Sequence, residues 1–137
     1  MMEMLTKLEP RYEKKRTLLI DELDEFNEII FVTTGTVCIG YEINKVKNFC
    51  IKYTDKCVIG AFGCTFNHRA SFIYMANTDI HGYSIRKSNW QLLLTENPEM
   101  NTALKQNVLV EYISKIRGKV MVAKNRALKK MQQRSDH

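Results

Sequence analysis

An α+β chain, an antiparallel β-roll or barrel followed by helices, is predicted by three observations. Short segments rich in Ile, Val, Phe, Tyr and Thr recur between residues 17 and 85, and Gly35, Asn44, Asp55, Gly60 and Asn77 punctuate them. From Ser88 onward the apolar residues change to helical spacing. The 137 residues suffice for one core in one domain.

Taken in order, Met2 to about Lys7 fits a short helix that Pro10 stops. Strands are expected at Thr17–Ile20, Glu28–Thr33, Thr36–Ile43, Asn48–Tyr53, Cys57–Ile59, Phe72–Met75 and Tyr83–Ile85. Ser88 is the expected N-cap of a helix carrying Trp90, Leu93 and Leu94, and Pro98 opens the next. From about Glu99 to Gln132, Leu104, Val108, Tyr112, Ile116 and Val120 recur close to every fourth residue, giving one apolar face. A continuous helix of that length is about 50 Å long and outruns the domain. Gly118 is the weak point at which it would hinge or end.

Hydrophobic content of 45% with 26% charged residues is ordinary for a globular chain. No apolar run approaches about 18 residues, so no membrane-spanning helix is expected. The N-terminus lacks a continuous apolar stretch, so no signal peptide is expected. The net charge of +6 is unevenly spread. Residues 112–137 hold Lys115, Arg117, Lys119, Lys124, Arg126, Lys129, Lys130 and Arg134 against Asp136 alone. Such a basic helix suits anionic lipid, calmodulin or nucleic acid, or is simply a solvated face. Nucleic acid is disfavoured, because the first 111 residues offer no aromatic-plus-basic sheet face. Asp21, Glu22, Asp24, Glu25 and Glu28 suit a solvated turn, or a surface for a basic helix of a neighbouring subunit.

Catalytic patterns are absent: there is no phosphate-loop, zinc-protease or nucleophile-elbow motif, and no enzymatic activity is expected. Cys38, Cys50, Cys57 and Cys64 form no C-x-x-C pair and read as reduced, buried or half-buried thiols. Cys64 and His68 are spaced to share a helix face, but no further zinc ligands accompany them and no metal is assigned. His68 and His81 read as surface or structural residues.

Ile59-Gly60-Ala61-Phe62, Arg69-Ala70-Ser71 and Tyr74-Met75-Ala76 together resemble the phosphate-binding cassette of cyclic nucleotide-binding domains, in the form found in eukaryotic cation channels. That cassette reads F-G-E-[IL], about eight residues, R-[TS]-A, then a strand ending V-x-A. Ile29 through Val37 is similar to the family's strand–Gly–strand segment, and Ala76 through Ile85 to the strand after the cassette. Trp90, Leu93, Leu94 and Pro98 follow its F-x-x-[VL]-L-x-x-x-P helix. Leu8-Glu9-Pro10-Arg11, Glu22-Leu23-Asp24-Glu25 and Ile85-Arg86-Lys87-Ser88-Asn89-Trp90 look like C-terminal domains of potassium-channel-like proteins of single-celled eukaryotes. The match covers about residues 5–125. It makes 1–125 a cyclic nucleotide-binding-like domain and 126–137 a basic helical tail.

The resemblance implies a jelly roll of the double-stranded β-helix type, with flanking helices and a long C-terminal helix. It implies a regulatory domain at the cytoplasmic face of a membrane, part of a potassium-type cation channel. Its partners are then the remaining channel polypeptide and neighbouring subunits, with the pore on another part of the protein; a complete chain would instead be a detached regulatory domain. Cyclic AMP or cyclic GMP is the implied ligand, and no other cofactor is. The pocket comprises Ile59, Gly60, Ala61, Phe62, Gly63, Arg69, Ala70 and Ser71.

In the family a helix N-terminus and an arginine hold the cyclic phosphate, and a carboxylate accepts the ribose hydroxyl. Aligned without a gap, Ala61 takes the glutamate position and Ala70 the arginine position, so binding is expected to be weak or absent. Losing a buried arginine–phosphate contact costs about 2–5 kcal/mol. An aromatic or apolar side chain is expected to fill the space. Neighbours on extended chain point to opposite faces, so Arg69 enters only by a slip or bulge. Val108, Tyr112 and Ile116 are either lid residues over the pocket or plain cover for the roll's open face. Two alternatives stand beside the channel: a soluble kinase regulatory-type module, and an interaction module using the basic C-terminal helix.

Overall fold

The computed structural model describes residues 7–54 and 56–135, so the helix expected at Met2–Lys7 lies, but for Lys7, outside the described residues. Strands β1 (Glu9–Glu13), β2 (Leu18–Ile20), β3 (Glu28–Thr34), β4 (Thr36–Ile43), β5 (Val46–Thr54) and β6 (Val58–Ile59) lead to a short helix α1 (Ala61–Phe66). Strands β7 (Ile73–Ala76) and β8 (Ile80–Arg86) follow, then α2 (Lys87–Glu96) and α3 (Pro98–Glu111). A π-helical segment, Tyr112–Arg117, joins α3 to α4 (Gly118–Ser135).

Pairing is antiparallel and nested: β4 with β5, β3 with β6, β2 with β7 and β1 with β8. One long hairpin, closed at Asn44–Lys45, has been wound on itself, which is the topology of a jelly roll. Winding sorts the strands into two four-stranded sheets, ordered β1-β8-β3-β6 and β2-β7-β4-β5. Their facing sides exclude water, and Ile29, Val37, Ile73 and Ile85 expose no surface. β-branched residues suit these positions because they pack well on a pleated surface.

Where the strands depart from expectation, the cause is local. Pro10 lies in β1, opposite Tyr83. β1 is the edge of its sheet, where a missing N–H breaks no inner ladder. The helix expected to be capped by Ser88 begins at Lys87, directly from β8. Its Lys87 N–H is satisfied by the Asn27 carbonyl at 2.8 Å, so no side-chain cap is needed. Pro98 does open α3.

Gly118 neither hinges nor ends the last helix, and has ordinary helical dihedrals of −59° and −46°. The irregularity falls just before it, in the π turn. In a regular α-helix residues four apart drift by about 40° per step. A turn with i→i+5 bonds takes more residues and cancels the drift. The every-fourth-residue stripe is therefore the sequence of a helix that needs a π turn to keep one face on the roll. Leu104, Tyr112 and Ile116 pack on the core and Val120 is fully buried.

Two glycines fix the junction between β6 and α1. Gly60 adopts φ +90°, which side chains rarely tolerate, and a Cβ there would sit 2.7 Å from the Glu28 carbonyl oxygen. A Cβ on Gly63 would fall 2.0 Å from the Phe26 ring. Gly63→Ala is expected to displace Phe26 and lower stability by about 1–3 kcal/mol. Urea denaturation followed by Trp90 fluorescence reads this, and an unchanged midpoint would contradict the packing described.

Candidate functional site

Between the sheets, under α3 and the π turn, lies a cavity of about 350 Å³. Its interior is apolar, from Ile29, Phe31, Val37, Ile39 and Ile59, while Lys56, Arg69, Glu111 and Lys115 bring charge to its wall. Every residue anticipated from the sequence lines it except Ala70. Ile59, Gly60, Ala61, Phe62, Gly63, Arg69 and Ser71 form the cassette side, and Val108, Tyr112 and Ile116 the helical side.

Ala70 is 2% exposed and belongs to the core. Backbone bonds set this orientation: the Ala70 N–H donates to the Asp24 carbonyl (2.9 Å), and the Leu23 N–H donates to the Ala70 carbonyl (2.8 Å). With Ala70 turned inward to the core, Arg69 and Ser71 on either side reach the cavity. Of the two neighbours weighed from the sequence, Arg69 stands at the cavity wall and Ala70 in the core.

Arg69 is nevertheless turned aside. Its guanidinium donates to the Glu25 carboxylate at 2.9 Å and to the Leu23 carbonyl at 3.0 Å. The pair is 62% and 60% exposed, so it is solvent-screened and holds the arginine weakly. Ala61 leaves the other polar position a methyl group. Helix α1 is pinned from beneath, where Trp90 Nε1 donates to Thr65 Oγ1 at 2.9 Å and Gln91 donates to the Cys64 carbonyl at 3.2 Å.

Aromatic contacts close the mouth. Tyr112 lies parallel on Phe62, with centroids 4.0 Å apart and planes 5° apart. Phe66 and His68 flank the same Phe62 ring. Ser71 lies beside the Tyr112 hydroxyl. From the opposite wall the Tyr53 hydroxyl donates to the Lys115 carbonyl, inside the π turn. Tyr112 and Ile116 thus pack on the core and line the cavity at once.

Sequence reasoning missed Tyr53, which read only as a strand residue, and Tyr74, which read only as the start of the strand that ends the cassette. Tyr74, on β7, is 4% exposed and lines the cavity. Burial first, then the neighbouring Tyr112 and Tyr53, push its phenol far above the ordinary value. The thiols divide. Cys38 and Cys64 are buried, Cys57 is half-buried on the cavity wall, and Cys50 is exposed, against the expectation. Burial pushes the Cys64 thiol up to about 12, where it is unreactive. Cys64 lies in the core while His68 faces solvent, so they share no face.

No family model and no curated protein matches this sequence. Solved structures do match in fold. A regulatory subunit of a cAMP-independent protein kinase A from Trypanosoma cruzi, bound to guanosine, is similar with TM-score 0.66 at 17% identity, over 89% of this chain and 40% of that one. The c-di-GMP-responsive regulator CLP of Xanthomonas campestris gives 0.63 at 16%, over 82% and 57%. The regulatory domain of Toxoplasma gondii PKA with cAMP gives 0.61 at 12%, over 66% and 36%. This chain spans well under two thirds of each. At such identities the likeness establishes the fold, a cyclic nucleotide-binding-type jelly roll with helices. These three carry nothing about a channel.

Two outcomes follow from the tyrosines. An unfolded phenol ionises near its ordinary 10 while the folded Tyr74 keeps its proton. Stability is therefore complete below pH 10 and falls as pH rises beyond it, by about 1.4 kcal/mol per pH unit for this residue. Tyr74→Phe is expected to flatten the alkaline slope by that amount in denaturation series between pH 9 and 11. Separately, Tyr112→Ala is expected to speed amide hydrogen exchange in residues 108–120 by about tenfold, with the strands unaffected. Unchanged exchange there would show that the ring stack does not hold the helix.

Proposed function

We propose that this chain is the ligand-sensing regulatory domain of a larger protein, with a pocket that cyclic AMP and cyclic GMP occupy weakly or not at all. The carrying observation is the state of the clamp: Ala61 offers no carboxylate, and Arg69 is bonded to Glu25 and the Leu23 carbonyl. Tyr112 stacks on Phe62 at the mouth, while the space that an aromatic or apolar side chain was expected to fill is a cavity of about 350 Å³. The parent protein in this reading is a potassium-type cation channel, with the domain at the cytoplasmic face of the membrane. Its support is the motif flavour of residues 8–11, 22–25 and 85–90. No helix among the described residues is long and apolar enough to cross a membrane, so any pore belongs to the remaining channel polypeptide.

Regulation proceeds by population shift. A ligand that binds the closed arrangement of Tyr112–Arg117 better than an open one biases the helix leaving the domain, and neighbouring subunits read its position. Where α4 leaves the roll, its lysines and arginines suit anionic lipid or calmodulin. A kinase regulatory-type module is the second reading, favoured by the Trypanosoma and Toxoplasma neighbours. The former, titled cAMP-independent and bound to guanosine, also supports a pocket of this shape serving an uncharged nucleoside.

Titration calorimetry tests the silence. Cyclic AMP and cyclic GMP are expected to show no saturation up to about 1 mM, as follows from loss of a clamp worth about 2–5 kcal/mol. Ala61→Glu with Glu25→Ala is expected to restore binding by at least about tenfold, the carboxylate contributing most and the freed Arg69 less. Micromolar binding by the unaltered chain would end the proposal.

A further inference from the structure

We propose that the cavity takes an alkyl carboxylate, with the chain between the sheets and the carboxylate at the rim beside Lys56 and Lys115. This rests on reading the cavity as the regulatory ligand site, and goes further by naming the ligand's chemistry and its direction of entry.

Protein interiors hold few voids larger than a water molecule, and an apolar cavity left empty costs stability in proportion to its volume. A space of about 350 Å³ is of ligand size. Hydrocarbon walls hold water poorly, and Ile29, Val37, Ile39 and Ile59 are all buried and line this one. The aromatic faces that would sandwich a flat ring are already used. Tyr112 covers Phe62, and Phe26 meets Tyr74 edge-on at 6.0 Å and 78°. A base would also set polar edges against branched aliphatic side chains, where unpaired donors and acceptors are costly. A hydrocarbon chain has none.

The rim has the opposite character, and Tyr53 marks its place. The Tyr53 hydroxyl donates to the Lys115 carbonyl, and both Cys57 and Glu111 lie close enough to raise its pKa. The β5–β6 connection, which carries Lys56, therefore meets the π turn there. Lys56 is exposed and makes no ion pair among the described residues. Lys115 holds Glu111 at 3.3 Å, but both side chains are more than half exposed, so solvent screens the pair and a second carboxylate competes for the lysine. Two cations against one acid leave this rim net positive. Val58 on the same wall is 45% exposed and gives it an apolar lip.

An amphiphile laid across that rim buries its chain and keeps its charge in water, which avoids the cost of a buried anion. It touches the roll through Lys56 and the π turn through Lys115, the two parts whose relative position a regulatory ligand must bias.

Decanoate, decanol and decyltrimethylammonium make a matched probe set, sharing one chain and differing in head-group charge. Titration calorimetry of the full chain is expected to saturate with decanoate, with decanol at least about tenfold weaker and the cation weaker still. The methyl resonances of Ile29, Ile39 and Ile59 are expected to shift on adding decanoate. Lys56→Gln is expected to weaken decanoate by about two- to fivefold and Glu111→Gln to tighten it by as much, with decanol unchanged. Both side chains are exposed, so neither substitution reaches the core. Equal affinity for decanoate and decanol, or no response to Lys56→Gln, overturns the head-group assignment. Saturation by decanoate with unmoved isoleucine methyls overturns the site. No decanoate binding at about 1 mM, or tighter binding of guanosine than of decanoate, overturns the ligand class and leaves the silence toward cyclic nucleotides standing. Micromolar binding of cyclic AMP ends the reading beneath this inference, and the inference with it.

Discussion

Tyr112 lying flat on Phe62 is the contact on which the rest of the site depends. Phe62 belongs to the cassette helix and Tyr112 to the helix that leaves the roll, so the stack joins the part that would sense a ligand to the part that would report it. A parallel aromatic pair contributes about 0.5–1.5 kcal/mol beyond the surface it buries. That is small against the whole fold and comparable to the energy by which a ligand shifts a conformational balance. The stack also explains the cavity's form. With the mouth covered by side chains from the same chain, the interior stays apolar while the charged residues remain around it.

The fold was legible because alternation in strands and spacing in helices are local properties. The strand from Glu28, the long strand from Thr36 and the Pro98 start all come from patterns within a dozen residues. β1 was not legible, because Pro10 is a helix breaker in isolation and becomes an edge-strand residue only once β8 lies beside it. Ser88 failed as a cap for the same kind of reason, since the helix starts one residue earlier, at Lys87, whose N–H is taken by a carbonyl from the β2–β3 connection.

The site was legible as a neighbourhood and illegible in register. Motif order located the cassette, yet whether residue 69 or 70 faces the cavity is decided by two backbone bonds to Leu23 and Asp24, which no local pattern encodes. Tyr53 and Tyr74 were hidden more deeply. Each reads as one more aromatic in a strand, and only the winding of the roll brings their hydroxyls beneath the same turn of helix.

The π turn stores one residue of screw. Were Tyr112–Arg117 to tighten into the α geometry of its flanks, everything beyond Gly118 would swivel about its own axis by roughly 100°. Val120 would leave its seat on the roll, and the lysines and arginines of α4 would sweep a quarter turn around the helix cylinder. A displacement of one ring at the mouth would thus emerge at the far end as rotation rather than as a push.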